Sequence, residues 1–277
     1  MCTVALAWNP GTLVPLLCIA NRDEFYDRPS APPRIHRIDT DLPCIAPQDL
    51  RRGGTWIGMN AVRMCAALTN RDGAPPGLGR RSRGQLVPFA LAHRSPHIAV
   101  EVLRALDPAA FRPFHLVLAN PEEAYLLWSD GRTIKERAIT PGTLIITQRS
   151  LGAAPVDRAV ATYLAPVQRF HPKHAQEKDH PQGDLSDALL RSIAAHDPHH
   201  VYDGPCVHDD DYGTRSSAMI IVHQDGAMEY HYTDGPPCNA PWQSIPHAVG
   251  ATREHWWQTI AAAPHAITDP WALDVLP

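Results

Sequence analysis

Two apolar runs open the chain, Cys2 to Trp8 and Leu13 to Ala20, on either side of the turn-forming Asn9-Pro10-Gly11-Thr12. Each run is apolar at nearly every position rather than at alternate ones. A strand with one wet face alternates apolar and polar residues, so this pair reads as a hairpin covered on both faces. Any fold for the chain must therefore place layers on both sides of its first two strands. Later segments supply candidates. Gly53 to Met59 leads through Asn60 into Met64 to Thr69, a second hairpin, and Asn21 to Asp41 reads as a polar loop. Gly84 to His93, with Ser82 as N-cap, and Ile98 to Leu106 are expected helices. Phe114 to Ala119, Ala124 to Trp128 and Leu144 to Thr147 are expected strands, and Val156 to Leu164 and Leu185 to Ala195 expected helices. Ser217 to His223 and Ala227 to Tyr232 form a late hairpin, and Glu254 to Ala263 a closing helix. Strands and helices come in blocks instead of βαβ alternation, which argues for α+β layers in one domain spanning 1–277.

Composition excludes several classes. Hydrophobic residues make up 44% of the 277, enough for a real core, and the formal net charge of -4 gives no general polyanion surface. Nucleic acid is therefore not an expected partner. The 28 prolines are about twice the usual ~5% and point to long, stiff connections. The six cysteines (Cys2, Cys18, Cys44, Cys65, Cys206, Cys238) lack CxxC spacing, so free thiols in a reducing compartment are expected. Leu13 to Ala20 is too short for a secretion signal and lacks a basic flank. No run approaches the ~20 apolar residues needed to span a bilayer, and the cytoplasm is the expected location. His196, His199, His200 and His208 share no common ligand spacing, so no metal site is expected from them. GxSxG, P-loop and dinucleotide-binding fingerprints are missing.

Cys2 is the residue with most chemistry in it. A small residue after the initiator normally allows Met1 to be removed, which would leave a thiol and a free α-amine on one residue. An unperturbed thiol titrates near ~8.5 and an α-amine near ~7.7–8.0, so the amine is matched to take the thiol proton near neutral pH. The competing reading is a small hydrophobe starting a buried strand.

A set of words accompanies Cys2: Ile19-Ala20-Asn21-Arg22-Asp23-Glu24-Phe25-Tyr26-Asp27-Arg28-Pro29, Gly53-Gly54-Thr55-Trp56-Ile57-Gly58 with Asn60, Ala67-Leu68-Thr69-Asn70, Ser82-Arg83-Gly84, and Tyr212-Gly213-Thr214-Arg215-Ser216-Ser217. In this order, and over residues 1 to about 232, the chain resembles the family named for its Asn-Arg-Asp-Glu motif, also called the transport and Golgi organisation 2 family. That family resembles in turn the penicillin V acylase and bile-salt hydrolase group of N-terminal-cysteine amidohydrolases. The resemblance implies a four-layer αββα sandwich of the N-terminal-nucleophile type. It implies Cys2 as nucleophile, Arg22 or Asp23 holding its thiolate and amine, Asn70 as oxyanion donor and Arg215 as the late arginine of the site. A nearby guanidinium would lower the thiol pKa, and a carboxylate would orient the amine.

The chain departs from those hydrolases in two ways. Their arginine and aspartate stand three positions apart, whereas Arg22 and Asp23 are adjacent and on an extended strand face opposite ways. Gln148 stands near Ile146-Thr147, where an asparagine is expected. Asn21, Glu24 and Gln148 are kept as substrate-side candidates beside these roles. The expected substrate is a small amide or acyl compound. The family's association with acyl-CoA and lipid homeostasis and with haem trafficking implies a second reading, in which the cleft binds such a ligand without reaction and haem is a bound ligand. Trp8, Trp56 and the basic loop Arg80 to Arg83, with Arg83 foremost, would suit an apolar body with an anionic head. Gly53-Gly54 is read as a tight backbone turn before Trp56, and Asn70 as either a turn cap or an oxyanion donor.

Overall fold

A computed structural model describes residues 2–37, 42–73, 79, 81–152, 189–197 and 199–245, with a two-residue strand at 267–268. Two sheets stack in it. The first has six strands in the order β10-β1-β2-β11-β12-β13: β1 (Thr3–Trp8), β2 (Leu16–Phe25), β10 (Gly142–Thr147), β11 (Tyr212–Val222), β12 (Met228–Thr233) and β13 (Gln243–Ser244). The second has eight, in the order β14-β3-β4-β5-β6-β7-β8-β9: β3 (Ser30–Arg37), β4 (Pro43–Asp49), β5 (Ile57–Asn60), β6 (Cys65–Asn70), β7 (Phe114–Ala119), β8 (Ala124–Ser129), β9 (Ile134–Ala138) and β14 (Ile267–Thr268). Helices α1 (Leu86–Leu91) and α2 (Pro96–Arg104) cover the outer face of the second sheet.

The continuous apolar runs divide by strand alternation. Val4, Leu6 and Trp8 of β1, with Leu16, Cys18 and Ala20 of β2, enter the core between the sheets and meet Ile57, Met59 and Val117. The intervening Ala5, Ala7, Leu17 and Ile19 pack instead against Leu189 and Ile193 of a helical stretch at 189–193. The small alanines on that face let the helix lie close. On the second sheet, Ala66, Leu68, Leu116 and Leu118 turn outward onto Leu86, Val87, Val100 and Leu103 of α1 and α2. The layers therefore run helix, sheet, sheet, helix, and β1 and β2 are buried on both faces. Each fully buried aliphatic side chain adds ~1.5–3 kcal/mol of apolar transfer.

Several boundaries differ from the sequence reading. The stretch expected as a polar loop carries the end of β2 and all of β3, because Asn21 to Phe25 pair with β11. Prolines hid β3; Pro32 and Pro33 sit where its register with β4 shifts, between Ala31 and Arg34, the kind of irregularity that tolerates proline. β4 and β9 were not expected either. The first helix begins as a 3-10 turn at Arg83–Gln85, and Ser82 makes no side-chain cap. α2 begins at Pro96, capped by the Ser95 hydroxyl, which accepts from the Ile98 amide at 3.3 Å. The helices expected at Val156 to Leu164 and Glu254 to Ala263, and residues 185–188 of that expected at Leu185 to Ala195, lie outside the described residues. No described helix is long and apolar enough to cross a membrane.

Candidate active site

The ladder between β1 and β2 ends with Thr3 opposite Asn21. Cys2 lies one residue further out, level with Arg22, and by alternation belongs to the face of Val4 and Leu6 that looks between the sheets. A cleft of about 290 Å³ opens there, lined by Cys2, Arg22, Asp23, Glu24, Trp56, Asn70 and Arg83 among others. β1 begins just past this point, and Cys2, Arg22 and Asp23 all line the cleft. Adjacent residues can thus both line one cleft while pointing to opposite sides of β2.

Arg22 points toward the second sheet. Its Nη2 donates to Asp49 Oδ2 at 2.8 Å, and its Cζ lies 4.5 Å from the centre of the Trp56 ring. Asp49 also accepts from Arg28 Nε at 2.7 Å and from the backbone amides of Arg51 and Arg52 at 3.0 and 2.9 Å. Burial pushes the Asp49 carboxyl up, but the Arg52 amide and the Arg28 and Arg22 guanidiniums outweigh it and hold the pKa below its ordinary value. Arg22 Nη1 and Trp56 Nε1 are buried donors without a hydrogen-bond partner among the described residues. Unpaired buried donors are costly, so two of them beside one cleft mark a place where a ligand's acceptors would be welcome.

Asp23 occupies the other face. Its Oδ1 accepts the Thr214 hydroxyl at 2.6 Å, and its backbone carbonyl accepts the Tyr212 hydroxyl at 3.1 Å and lies 3.9 Å from Cys2 Sγ. Burial raises the Asp23 pKa, against the lowering pull of the positive chain terminus and Thr214. The Cys2 thiol is likewise pushed up by burial, ahead of the lowering effect of the chain terminus, with Arg22 the weakest influence. The guanidinium lowers the thiol pKa, in the expected direction, but burial outweighs it. A local base has to take the thiol proton.

Asn70, the last residue of β6, reaches the cleft from the second sheet, and Arg83 from the loop before α1, where its Nη1 bonds the Pro113 carbonyl at 2.9 Å. Glu24 lines the rim and pairs with Arg28 at 2.9 Å. Arg52, Arg81 and Arg112 join Arg22, Arg28 and Arg83 along the walls, against the acids Asp23, Glu24 and Asp49. The cleft is cationic. Sequence reasoning missed Asp49, Arg28, Arg52 and Arg112 as members; only the folded turn after β4 and the neighbouring loops bring them in. Arg80 lies outside the described residues. Gly53 adopts a left-handed φ of 75° in that turn, and an added Cβ on Gly54 would stand 2.4 Å from the Gly84 carbonyl carbon. Those glycines bring the Arg83 loop against the Trp56 strand. Asn60 is structural: its amide donates to the Leu91 and His93 carbonyls at 2.9 Å, tying the β5–β6 turn to the end of α1.

Four sequence candidates are not among the lining residues. Trp8 is buried and donates its indole N–H to the Asn120 carbonyl at 2.9 Å. Asn21 turns to the helix side, donating to the Ile193 carbonyl at 3.0 Å and the Pro205 carbonyl at 2.5 Å, and accepting from Ser217. Gln148 follows β10, and its carbonyl accepts the Asp72 amide at 2.9 Å. Arg215 pairs with Asp234 at 2.6 Å. The register of β11 against β2 shifts between Thr214 and Ser216, so Arg215 is the extra residue of a bulge and is turned away from Arg22.

The fold agrees with what the chain is similar to. The family model for Transport and Golgi organisation 2 matches residues 1–233. The chain belongs to that family. Among its relatives, the Transport and Golgi organization protein 2 homologs of Bos taurus and Homo sapiens are 25% and 26% identical over 262 and 260 residues, each match covering 83% of this chain and 91% of the relative. Among solved structures, penicillin V acylase from Agrobacterium tumefaciens superposes with a TM-score of 0.53 at 14% identity, covering 88% of this chain and 86% of that one. A variant of the conjugated bile acid hydrolase from Clostridium perfringens gives a TM-score of 0.50 at 10% identity, covering 87% and 96%. At those identities the likeness is one of fold: the family member described here is built as an N-terminal-nucleophile hydrolase-like αββα sandwich.

Proposed function

We propose that the protein is a cysteine amidohydrolase or acyl-transfer enzyme for a small, anionic amide or acyl substrate, with Cys2 as nucleophile once Met1 is removed. The carrying observation is the position of Cys2: it stands just before β1 in a cleft walled by arginines, and its Sγ lies 3.9 Å from the carbonyl of Asp23, which lines the same cleft. The thiol pKa is raised by burial, so activation falls to the α-amine, which takes the thiol proton as sulfur attacks the carbonyl carbon. Asp23 orients the resulting ammonium. The Asn70 amide donates to the tetrahedral oxygen, a contribution of ~2.7–4 kcal/mol for one such donor. As the C–N bond breaks, the ammonium returns its proton to the leaving amine. Water then attacks the thioester by the same base and frees the acid, or an acceptor amine takes the acyl group.

The cationic walls and the unpaired donors of Arg22 and Trp56 support a substrate carrying a carboxylate or phosphate. A volume of about 290 Å³ falls just below the ~300–1,000 Å³ range for small-molecule sites, which favours a small substrate over a macrocycle. The same excess of arginines supports a second reading, capture of haem or an acyl-CoA by its anionic groups without turnover. Screening hydrolysis of small N-acyl amino acids with wild-type and Cys2→Ala protein, alongside haem and acyl-CoA titrations, separates the two. Product formation that depends on Cys2 supports the enzyme; saturable binding that survives in Cys2→Ala, with no product from either protein, supports the carrier. The cytoplasm remains the proposed location.

A further inference from the structure

Outside the residues that line the cleft, four side chains from three separate segments converge: His196 after the 189–193 helix, Cys206 and His208 in the loop before β11, and Cys238 after β12. Their ligand atoms all lie within 4.8 Å of one another. Cys206 Sγ is 3.9 Å from Cys238 Sγ and 3.4 Å from His208 Nε2, and His208 Nε2 is 3.1 Å from Cys238 Sγ. We propose that these four residues form a tetrahedral Cys2His2 site for Zn(II), a structural metal that clamps the three segments together.

Ligand geometry supports this directly. Zn–S bonds of ~2.3 Å and Zn–N bonds of ~2.0–2.1 Å at tetrahedral angles require S···S near ~3.8 Å and S···N near ~3.6 Å. The observed S···S separation of 3.9 Å matches, and the S···N separations of 3.4 and 3.1 Å fall a few tenths of an ångström short, a gap that small side-chain rotations close. A disulfide between Cys206 and Cys238 is the rival use of two neighbouring thiols, but it needs sulfurs about 2.05 Å apart. It also gives no reason for His208 to stand against both of them. His208 and His196 pack with ring centres 5.5 Å apart, which brings the second imidazole to the same point. Two thiolates and two imidazoles in tetrahedral array select zinc among the common divalent metals. Protein ligands fill all four positions, so the site is structural and leaves none open for catalysis. Binding displaces the two thiol protons to solvent as the thiolates coordinate.

The backbone around the cluster is built for close approach. The Cys206 amide donates to the Ala195 carbonyl at 3.0 Å, and an added Cβ on Gly204 would stand 2.6 Å from His196 Cα. The loop continues into the support of the cleft. The Val207 amide donates to Thr214 Oγ1 at 2.8 Å, and that hydroxyl donates to Asp23. Asn21 reaches the Ile193 and Pro205 carbonyls, which come shortly before His196 and Cys206 in the chain. The clamp thus fixes the segment that holds Asp23. Cys238 lies beyond residue 233, where the family match ends, so one ligand comes from the part of the chain outside that match.

The test uses full-length protein purified reduced and without chelator. Elemental analysis should find one zinc per chain, and competition against a chromophoric chelator should place Cys238→Ser and His208→Asn at least tenfold weaker than wild type. Cys238 and His208 are not core residues, so loss of fold does not cloud these variants. Cobalt(II) in the metal-free protein should give the intense visible bands of a tetrahedral site and a sulfur-to-cobalt charge-transfer band. Cys238→Ser should lose the latter's full strength, whereas Cys2→Ser should not. Stoichiometric zinc missing from reduced protein, a Cys206–Cys238 disulfide in rapidly quenched protein, or cobalt spectra indifferent to Cys238→Ser would each overturn the proposal.

Discussion

Three consecutive residues of β2 belong to two different regions of the molecule. Arg22 faces the second sheet, where it meets Asp49 and Trp56 beside the cleft. Asn21 and Asp23 face the opposite way, and their partners are the Ile193 and Pro205 carbonyls, Ser217 and Thr214. The front is polar, cationic and incompletely paired; the back, at Asn21, is saturated with hydrogen bonds. Strand alternation teaches the lesson: one short motif can serve a reacting site and its bracing at once, because side chains a residue apart enter different layers. Substitutions on the front should cost activity with the fold intact, and those at Asn21 should cost stability first, while Asp23, which also lines the cleft, joins the two regions.

The largest expected effect is at the tip of the front. Cys2→Ala should lower turnover of a cleaved substrate by at least ~10³-fold, as loss of a nucleophile does, with ligand affinity largely kept. Asn70→Ala follows: kcat should fall ~10²–10³-fold with little change in KM, the signature of a donor used in the transition state. Thermal unfolding of both variants should stay close to wild type.

The body of the second sheet should answer to pH instead. Burial holds His36 and His115 neutral, with pKa values lowered to about 4. The unfolded chain takes up those protons near ~6.5, so between pH 6.5 and 4 it binds more protons than the native state. Stability should therefore be full above about pH 6.5 and fall as pH drops toward 4, by up to about 3 kcal/mol for each histidine. Urea unfolding of wild type and His115→Gln across that range reads it out; an equal slope in both would remove His115 from the account.

On the back, Asn21→Ala should cost ~2–3 kcal/mol in chemical denaturation, because it strands two buried carbonyls, while activity per folded molecule changes far less than in Asn70→Ala. Arg215→Ala should do least, less than ~1 kcal/mol in stability, since its partner Asp234 is half exposed, and it should leave KM unchanged. A large activity loss in Arg215→Ala would return that arginine to the front and break the division.

Much of this was legible in the residues. The doubly apolar runs announced β1 and β2 as covered strands, and the position of Cys2, the Arg22-Asp23 pair and Asn70 pointed to the cleft they share. What was not legible follows from three causes. Pro32 and Pro33 made a strand read as a loop, because a register shift accommodates them. The resemblance implies Arg215 as a site residue, and the bulge that pairs it with Asp234 is a property of two paired strands that leaves no mark on one. Asp49, Arg28 and the His196, Cys206, His208 and Cys238 cluster are joined only by tertiary contact, and no fixed spacing announces them. The motif residues Gly54 and Asn60 carry packing, at Gly84 and the end of α1.

The central claim is that Cys2 is the chain's working nucleophile with its own amine as base. Treating active protein with a limiting thiol electrophile and mapping adducts by peptide mass tests it most directly. The account predicts an N-terminal peptide that begins at Cys2, lacks Met1 and carries the label ahead of the other cysteines, with labelling and activity lost in parallel. Met1 retained on fully active protein, or label on Cys238 with Cys2 untouched while activity disappears, would contradict it.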